Sequence, residues 1–392
     1  MRILVFCDED LSVPGGGARQ VLELSRELAA RGHALRVIAP RPVQPSDAVR
    51  ALHGLECREV PVLRGPGLRP LSYLLGSRRV LQQEITEWRP DVLLWFDAPG
   101  QIAPLWASRR AACPYVLFVN GLPEEELSGI WAWPPIRALA GLALRRAIRQ
   151  AETVVSVCGE LLQRIHERCG VPRKRCQVVR NGVDPAVFVP MDGALARHNL
   201  GLDGGGPWIL FVGGFFPWHG LDVLVEAMPA VLRASPAARC LLVGDGPVRP
   251  ALAARARMLG VTEAVRFPGR IPFEHVPHWI AAGDVCVVLH RATRSYPGDS
   301  MKLWEYLACA RPVVATAGPG YGDVVESLDC GSSVKPDDPA DLARVLLALL
   351  EDAPRRAAMG ERGRRAILQS HTWAARAEQL ERLLGGVARA RS

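Results

Sequence analysis

Residues 300–316, SMKLWEYLACARPVVAT, decide the fold because they join a short helical pattern to a buried strand. Lys302 and Glu305 lie three residues apart, so they project from one face near the amino end of the predicted helix. That end carries free N–H groups and a partial positive charge, which favour a bound phosphate. The stretch therefore predicts a nucleotide site, with a diphosphate beside Lys302 and a ribose beside Glu305.

Short apolar runs alternate with helical patterns on both sides of this stretch. Continuous apolar strands joined by helices predict parallel sheets covered on both faces. The first half has ILVF (3–6), LRVIA (35–39), DVLLWF (91–96), YVLFV (115–119) and VVSV (154–157). The second half has WILFV (208–212), CLLV (240–243), VCVVL (285–289) and PVVAT (312–316).

The alternation breaks once, where residues 182–207 are rich in Gly, Pro and Asp. We interpret this break as a linker between two α/β domains, each a doubly wound parallel sheet, with a cleft between them. The predicted domains are 1–182 and 208–365, the linker is 183–207, and a terminal helix occupies 366–392.

Composition favours an ordinary globular protein with anionic partners. The hydrophobic fraction is 49% and the net charge is +8. A positive field attracts sugar nucleotides, anionic lipid surfaces or nucleic acid. None of the ten cysteines forms a CxxC pair, and several lie in strand-like runs, so we expect buried reduced thiols rather than disulfides or a zinc site.

We expect a cytoplasmic protein, since no signal-like segment opens the chain and no apolar run is long enough to span a membrane. Residues 131–149, WAWPPIRALAGLALRRAIR, form an amphipathic helical pattern with arginines opposite an apolar stripe. This pattern suits a peripheral contact with an anionic membrane. The alternative is an ordinary helix whose apolar side faces the domain core.

Five stretches together resemble the retaining glycosyltransferases of family 4, which have the GT-B fold of two Rossmann-like domains. The segment FFPWHG resembles a subset of that family with a WHG motif. The five stretches, in chain order, are PGGGARQVLELSRELAARGHALRVIAP, VVRNGVDPAVFVP, LLVGDGPVRPALAARARMLG, VRFPGRIPFEHVPHWIAAGDVCVVL and KLWEYLACARPVVAT.

The resemblance implies transfer of a sugar from a nucleotide-diphosphate donor to a hydroxyl of a sugar, lipid-linked or natural-product acceptor. The donor would bind the second domain and the acceptor the first, and the terminal helix would cross back to the first domain. The resemblance implies no metal, no other cofactor and no nucleic acid partner.

The donor phosphates and sugar are expected at two glycine turns and one helix end. Gly15, Gly16 and Gly17 follow the first strand, where glycine lets the backbone approach a ligand closely. Many relatives have an arginine at the position of Gly214 and a lysine at that of His219. Lys302 is then the principal cation, His219 donates to a phosphate oxygen, and the backbone of Ser300 and Met301 supplies further donors.

The nucleotide is expected near Glu305, Arg270 and Ile271. Glu305 matches the second glutamate of the family's E-x7-E pattern, which binds the ribose hydroxyls. The first glutamate would fall at position 297, where this chain has Pro297. Asp299 or Ser300 is the candidate replacement in contacts with the donor sugar.

The acceptor side is expected near Asn120 and Glu124. Asn120 stands where many relatives have a histidine, and an amide orients a hydroxyl but does not act as a general base. The resemblance implies that a donor phosphate oxygen takes the acceptor's proton. Glu124, Glu125 and Glu126 either bind the acceptor or form a solvated charge run.

Two other classes of protein fit the same sequence. One is a GT-B relative that is not a transferase, such as a sugar-nucleotide epimerase or a phosphorylase. Supplying the donor alone tests this class, because an epimerase or hydrolase would consume it without an acceptor. The other is a nucleotide-sugar-binding relative without transferase activity, which the missing glutamate and the two missing cations favour.

Overall fold

The computed structural model describes residues 1–12, 15–42, 55–63, 68–96, 101–122, 134–202, 205–292 and 298–390. The chain divides into two compact units. The first comprises Met1–Arg180 together with Trp373–Ser392, and the second comprises Asn181–Thr372. Each unit is built on one parallel sheet, so the two predicted Rossmann-like sheets are confirmed.

The first unit contains a seven-stranded sheet with the order β3-β2-β1-β4-β5-β6-β7 among the described residues. Every pairing is parallel. The strand order changes direction between β1 and β4. The strands are β1 (Arg2–Phe6), β2 (Ala34–Pro40), β3 (Glu56–Val60), β4 (Val92–Phe96), β5 (Tyr115–Val119), β6 (Thr153–Ser156) and β7 (Cys176–Val178).

Helices follow most of these strands. They are α1 (Gly16–Ala30), α2 (Leu68–Glu87), α3 (Ala103–Ala111), α4 (Pro134–Gln150) and α5 (Gly159–Cys169). A further helix, α14 (Trp373–Arg389), packs on α1, β4 and β5 of this unit. Its Leu380 and Leu384 are fully buried. Its Glu381 accepts hydrogen bonds from Arg31 at 2.6 Å and from His33 at 2.9 Å.

The second unit contains a six-stranded parallel sheet with the order β10-β9-β8-β11-β12-β13. Along β8, Ile209 and Phe211 enter one apolar cluster, whereas Trp208, Leu210 and Val212 enter another. Because alternate residues of a strand point to opposite faces, both faces of the sheet are covered. The strands are β8 (Trp208–Val212), β9 (Arg239–Val243), β10 (Val265–Gly269), β11 (Val285–Val288), β12 (Val313–Thr316) and β13 (Gly331–Val334).

The helices of the second unit include the one predicted from residues 300–316. They are α6 (Gly193–Asn199), α7 (Leu221–Ala234), α8 (Arg249–Met258), α9 (Val276–Ala282), α10 (Met301–Ala308), α11 (Gly322–Ser327), α12 (Pro339–Glu351) and α13 (Ala353–Ser370).

The segment predicted as a linker, 183–207, is folded into the second unit. Val183 and Phe188 are fully buried in its core. Arg364 of α13 donates to the Phe188 carbonyl at 2.7 Å and to the Pro185 carbonyl at 3.0 Å. This segment, although rich in Gly, Pro and Asp, contains the short helix α6, and a few buried apolar side chains anchor it.

Within the described ranges, no helix is long and apolar enough to cross a membrane. Helix α4, which covers most of the proposed membrane segment, buries Leu144, Ala147 and Ile148 in the core. Its amino-terminal half instead exposes Leu139 (70%) and Leu142 (64%). All ten cysteines are free thiols, and all but Cys57 and Cys176 are buried.

Candidate active site

The candidate donor site lies where the strand order of the second sheet changes direction. The chain runs outward from β8 through β9 to β10, then returns to β11 on the other side of β8. Ligands of doubly wound sheets bind at the carboxyl ends of the strands flanking such a point. The turn after β8 carries Gly213 and Gly214, and α10, which carries Lys302, follows β11.

The turn after β8 has a close backbone packing that needs glycine. The Gly213 N–H donates to the Val243 carbonyl of β9 at 2.9 Å, and Gly213 has a φ of 144°. A Cβ on Gly244 would lie 2.0 Å from the Gly213 carbonyl oxygen, so the turns after β8 and β9 touch through their backbones. This contact fixes the position of the predicted phosphate-binding turn.

The space beside Gly214 is filled by an aromatic side chain. A Cβ on Gly214 would lie 2.5 Å from Cε2 of Phe216. The Phe216 ring in turn stacks on Trp218, with 4.7 Å between ring centroids. An arginine at position 214 would therefore require the partly exposed Phe216 ring to move.

Lys302 lies against the same glycine turn. A Cβ on Gly213 would be 3.0 Å from Lys302 Cε and 3.6 Å from Nζ. Nζ donates to the Ser300 hydroxyl at 3.0 Å and lies 5.2 Å from the centroid of the Phe211 ring. Ser300 occupies the N-cap of α10 without making a side-chain cap. The structure thus brings together Lys302, Ser300 and the turn at 213–214.

His219 also packs onto this turn. Its Nδ1 is 2.7 Å from the Gly214 carbonyl oxygen. A carbonyl only accepts, so Nδ1 carries the proton of this hydrogen bond. The neutral ring then has an acceptor at Nε2, and donation to a phosphate from Nε2 requires the imidazolium form. The expected donation from His219 to a phosphate oxygen therefore depends on protonation of its ring.

Asp299 is held by donors of the second unit. Its carboxylate accepts from the backbone N–H of Asn181 and from Trp304 Nε1 at 3.1 Å. Its carbonyl accepts from the Asn181 side chain at 2.7 Å. Asp299 therefore anchors the residue before the N-cap of α10, while Pro297 lies outside the described residues.

The predicted nucleotide-binding residues occupy two different environments. Glu305 lies one turn along α10 from Lys302 and is only 6% exposed. Arg270 is exposed and Ile271 is partly buried, just after β10. They lie at the same carboxyl edge of the sheet as Gly213, since Gly244 N–H donates to the Gly269 carbonyl at 2.8 Å.

In the first unit, the three glycines at the start of α1 have different surroundings. Gly15 is the N-cap of α1, and a Cβ on Gly16 would meet open space. A Cβ on Gly17 would lie 2.1 Å from Oε1 of Glu9. Gly17 therefore makes room for a carboxylate of the protein, and burial raises the pKa of that carboxyl.

Asn120 is fixed by a side chain of α1. Its Nδ2 donates to Gln20 Oε1 at 3.1 Å. Gln20 is buried, whereas Asn120 is exposed at the carboxyl end of β5. Glu124, like residues 131–133 of the amphipathic segment, lies outside the described residues.

Sequence reasoning missed Asp8, Glu9 and Gln20. The acidic run DED (8–10), which begins two residues after the end of β1, was the available signal for the first two. Burial raises the pKa of Asp8 to about 7, although Arg69 lies 3.1 Å away and opposes the shift. Gln20 has no sequence signal, because its contact with Asn120 joins residues a hundred positions apart.

Comparisons with known proteins agree along nearly the whole chain. Residues 14–187 match the family described as Glycosyltransferase Family 4, and residues 206–352 match Glycosyl transferases group 1. A relative from Mycolicibacterium smegmatis is 32% identical over 99% of this chain and 100% of its own. It is a GDP-mannose-dependent alpha-(1-6)-phosphatidylinositol monomannoside mannosyltransferase.

A second relative and two crystal structures extend the comparison. D-inositol 3-phosphate glycosyltransferase of Frankia alni is 35% identical over 86% of each chain. HepE of Anabaena, in complex with UDP, has a TM-score of 0.77 and 19% identity, over 98% of this chain and 100% of its own. Sucrose-phosphate synthase of Thermosynechococcus elongatus has a TM-score of 0.76 and 21% identity, over 99% of each. At these identities the two structures show a shared fold.

Proposed function

The chain belongs to glycosyltransferase family 4, and from that premise we propose that it moves a sugar, with retention of configuration, from a nucleoside diphosphate donor to an acceptor hydroxyl. The second unit binds the donor, and the first supplies acceptor contacts. The proposal rests above all on the contact of Lys302 with the glycine turn after β8. This contact lies where the strand order changes direction, and doubly wound sheets bind their ligands at such a point.

The chemical task of these residues is to stabilise the departing diphosphate. Breaking the bond between the sugar and the diphosphate separates an oxocarbenium-like sugar from a nucleoside diphosphate that gains one negative charge. The Lys302 ammonium, the N–H groups at the start of α10 and the imidazolium of His219 offset that charge. Such preorganised donors act mainly on the transition state, because the charge on the leaving oxygen develops there.

Asn120 orients the acceptor rather than deprotonating it. An amide has no titratable group at working pH, so the proton of the acceptor hydroxyl passes to a donor phosphate oxygen. The contact with buried Gln20 fixes the Asn120 amide, with Nδ2 donating to Gln20 Oε1. Its own carbonyl oxygen then faces a hydroxyl of the acceptor.

The first donor to test is GDP-mannose, and the first acceptor class is a phosphorylated inositol. The two relatives share inositol in their names, one as phosphatidylinositol monomannoside and one as D-inositol 3-phosphate. A net charge of +8 agrees with an acceptor that carries phosphate. Glu305 would bind the ribose, and Arg270 with Ile271 would border the base.

The test is a transfer assay with GDP-mannose, UDP-glucose and UDP-N-acetylglucosamine, each with and without inositol 3-phosphate or phosphatidylinositol monomannoside. We expect product with retained anomeric configuration only when both substrates are present, at the same rate in EDTA. Donor consumption without acceptor would instead identify an epimerase or hydrolase. Tight donor binding without turnover on any acceptor would identify a binding protein.

A lipid-linked acceptor requires access to a membrane surface, for which α4 offers Leu139 and Leu142. Both leucines are mostly exposed, and the exposed Arg146 lies on the same helix. Exposed leucines beside arginines suit a shallow contact with anionic lipid. Co-sedimentation with phosphatidylglycerol vesicles tests this contact, and unchanged binding of a Leu139→Ser, Leu142→Ser variant would contradict it.

A further inference from the structure

A cavity of about 730 Å³ lies between α2 and α3 of the first unit. Pro90, two residues before β4, and Pro114, directly before β5, form part of its wall. The cavity is therefore at the amino ends of these strands. Gly15 and Asn120 follow the carboxyl ends of strands in the same sheet, so the cavity is separate from the predicted acceptor contacts.

Among the described residues, three arginines line this cavity, and no aspartate or glutamate does. Arg78 and Arg89 come from α2 and the turn after it, and Arg110 comes from α3. In the described part of the chain, none of the three forms an ion pair with a carboxylate. All three arginines are exposed, so water screens their mutual repulsion, and each guanidinium is available to donate hydrogen bonds to a bound anion.

The remaining wall is partly apolar. Trp106 is 41% exposed, and the Arg78 guanidinium lies 5.3 Å from the centroid of its ring. Ile85 and the two prolines add apolar surface. Stacking on an aromatic ring gives a guanidinium a defined orientation. The guanidinium is then placed to bind a phosphate, while the ring contacts a planar or apolar group attached to that phosphate.

We propose that this cavity binds an organic phosphate, with Arg78, Arg89 and Arg110 holding the phosphate and Trp106 and Ile85 contacting its apolar part. The ligand is distinct from the nucleotide sugar and does not occupy the candidate donor site. The volume of the cavity lies within the range of small-molecule sites. The phosphate could be carried by a soluble metabolite or by a lipid headgroup, since the same contacts recognise both.

The test uses phenyl phosphate as the probe, with calorimetric titration of the full chain. We expect phenyl phosphate to bind more tightly than inorganic phosphate, and phenol not to bind. Arg78→Ala and Arg110→Ala should each weaken binding about tenfold or more, as expected for loss of a charged hydrogen-bond donor. Arg79→Ala is the matched control, because Arg79 is an exposed arginine of the same helix outside the cavity.

Vesicles of phosphatidylcholine, with and without phosphatidic acid, distinguish the two sources of phosphate. Arginine-dependent binding of phenyl phosphate supports a soluble ligand, and arginine-dependent binding of phosphatidic acid vesicles alone supports a lipid headgroup. Circular dichroism and thermal unfolding establish that each variant is folded. Equal affinities of folded R78A, R110A and R79A for both probes would overturn the proposal.

Discussion

Lys302 owes its position to close neighbours. The Phe211 ring, the Ser300 hydroxyl and Gly213 surround its side chain. A long flexible lysine loses side-chain entropy when it is held in one place. These contacts limit that loss before the donor arrives, which makes the ammonium a preorganised group.

We predict that Lys302→Ala lowers the rate of sugar transfer about 100- to 1000-fold, the usual effect of removing one preorganised donor. The reason is loss of charge stabilisation on the leaving diphosphate. Steady-state assays of the variant measure this change. Lys335→Ala removes the same charge from an exposed position of the same unit and should retain full activity. Similar rates for both variants would contradict the assignment of Lys302.

Asp8 gives the first unit a pH dependence. Burial raises its pKa to about 7, so the folded state holds this proton more tightly than the unfolded state. The resulting stabilisation is fully present below the ordinary aspartate pKa and is lost as pH rises through about 7. Asp8→Asn removes the ionisation.

We therefore predict that Asp8→Asn is more stable than the wild type at pH 8, by on the order of 2 kcal/mol, and that the difference shrinks toward pH 5. Thermal unfolding at both pH values measures it. The control is Asp91→Asn, whose carboxylate is more exposed beside Arg2. A stability difference that does not change with pH would contradict the shift.

Among the elements, the strands show what apolar patterns detect. All nine strands predicted from apolar runs are present. The four described strands that were not predicted are the edge strands of the two sheets: β3, β7, β10 and β13. An edge strand is paired on one side only, so its side chains are less buried and its sequence is less apolar.

Only those features of the candidate site that depend on neighbouring residues could be predicted from the sequence. The motif at 300–316 identified the helix that carries Lys302 and Glu305, because the spacing of a helix is local. Two other features depend on contacts that form only in the folded units. Gly17 leaves room for the Glu9 carboxylate, and Asn181 donates a hydrogen bond to Asp299. No pattern of neighbouring residues encodes such contacts.

The backbone contact between the turn after β8 and the turn after β9 gives a prediction for these elements. Gly244→Ala would place a Cβ against the Gly213 carbonyl, so we expect donor affinity to fall along with stability. Gly260→Ala is the control, because Gly260 also has a positive φ but has open space for a Cβ. Calorimetric titration with the donor nucleotide compares them. Equal losses of affinity would assign the effect to backbone strain rather than to displacement of the donor turn.

In the whole molecule, α14 contributes to the core of the first unit. We predict that Leu384→Ala destabilises that unit by about 2–5 kcal/mol, because the substitution leaves a cavity where a buried side chain was. Hydrogen exchange should then accelerate in β1, β4 and β5 but not in residues 181–372. Leu368→Ala, at an exposed position of α13, is the control. Equal acceleration in residues 181–372 would contradict the prediction that the effect of Leu384→Ala is confined to the first unit.

The assignment of Trp373–Ser392 to the first unit has a consequence for biosynthesis. A nascent chain delivers residues 181–372 before the segment that completes the core beneath α1. On the ribosome, the second unit is thus able to finish folding earlier, although its sequence begins later. The first unit lacks α14 until Trp373–Arg389 have been translated, and a chain released before that point would carry all of residues 181–372 but an incomplete first unit.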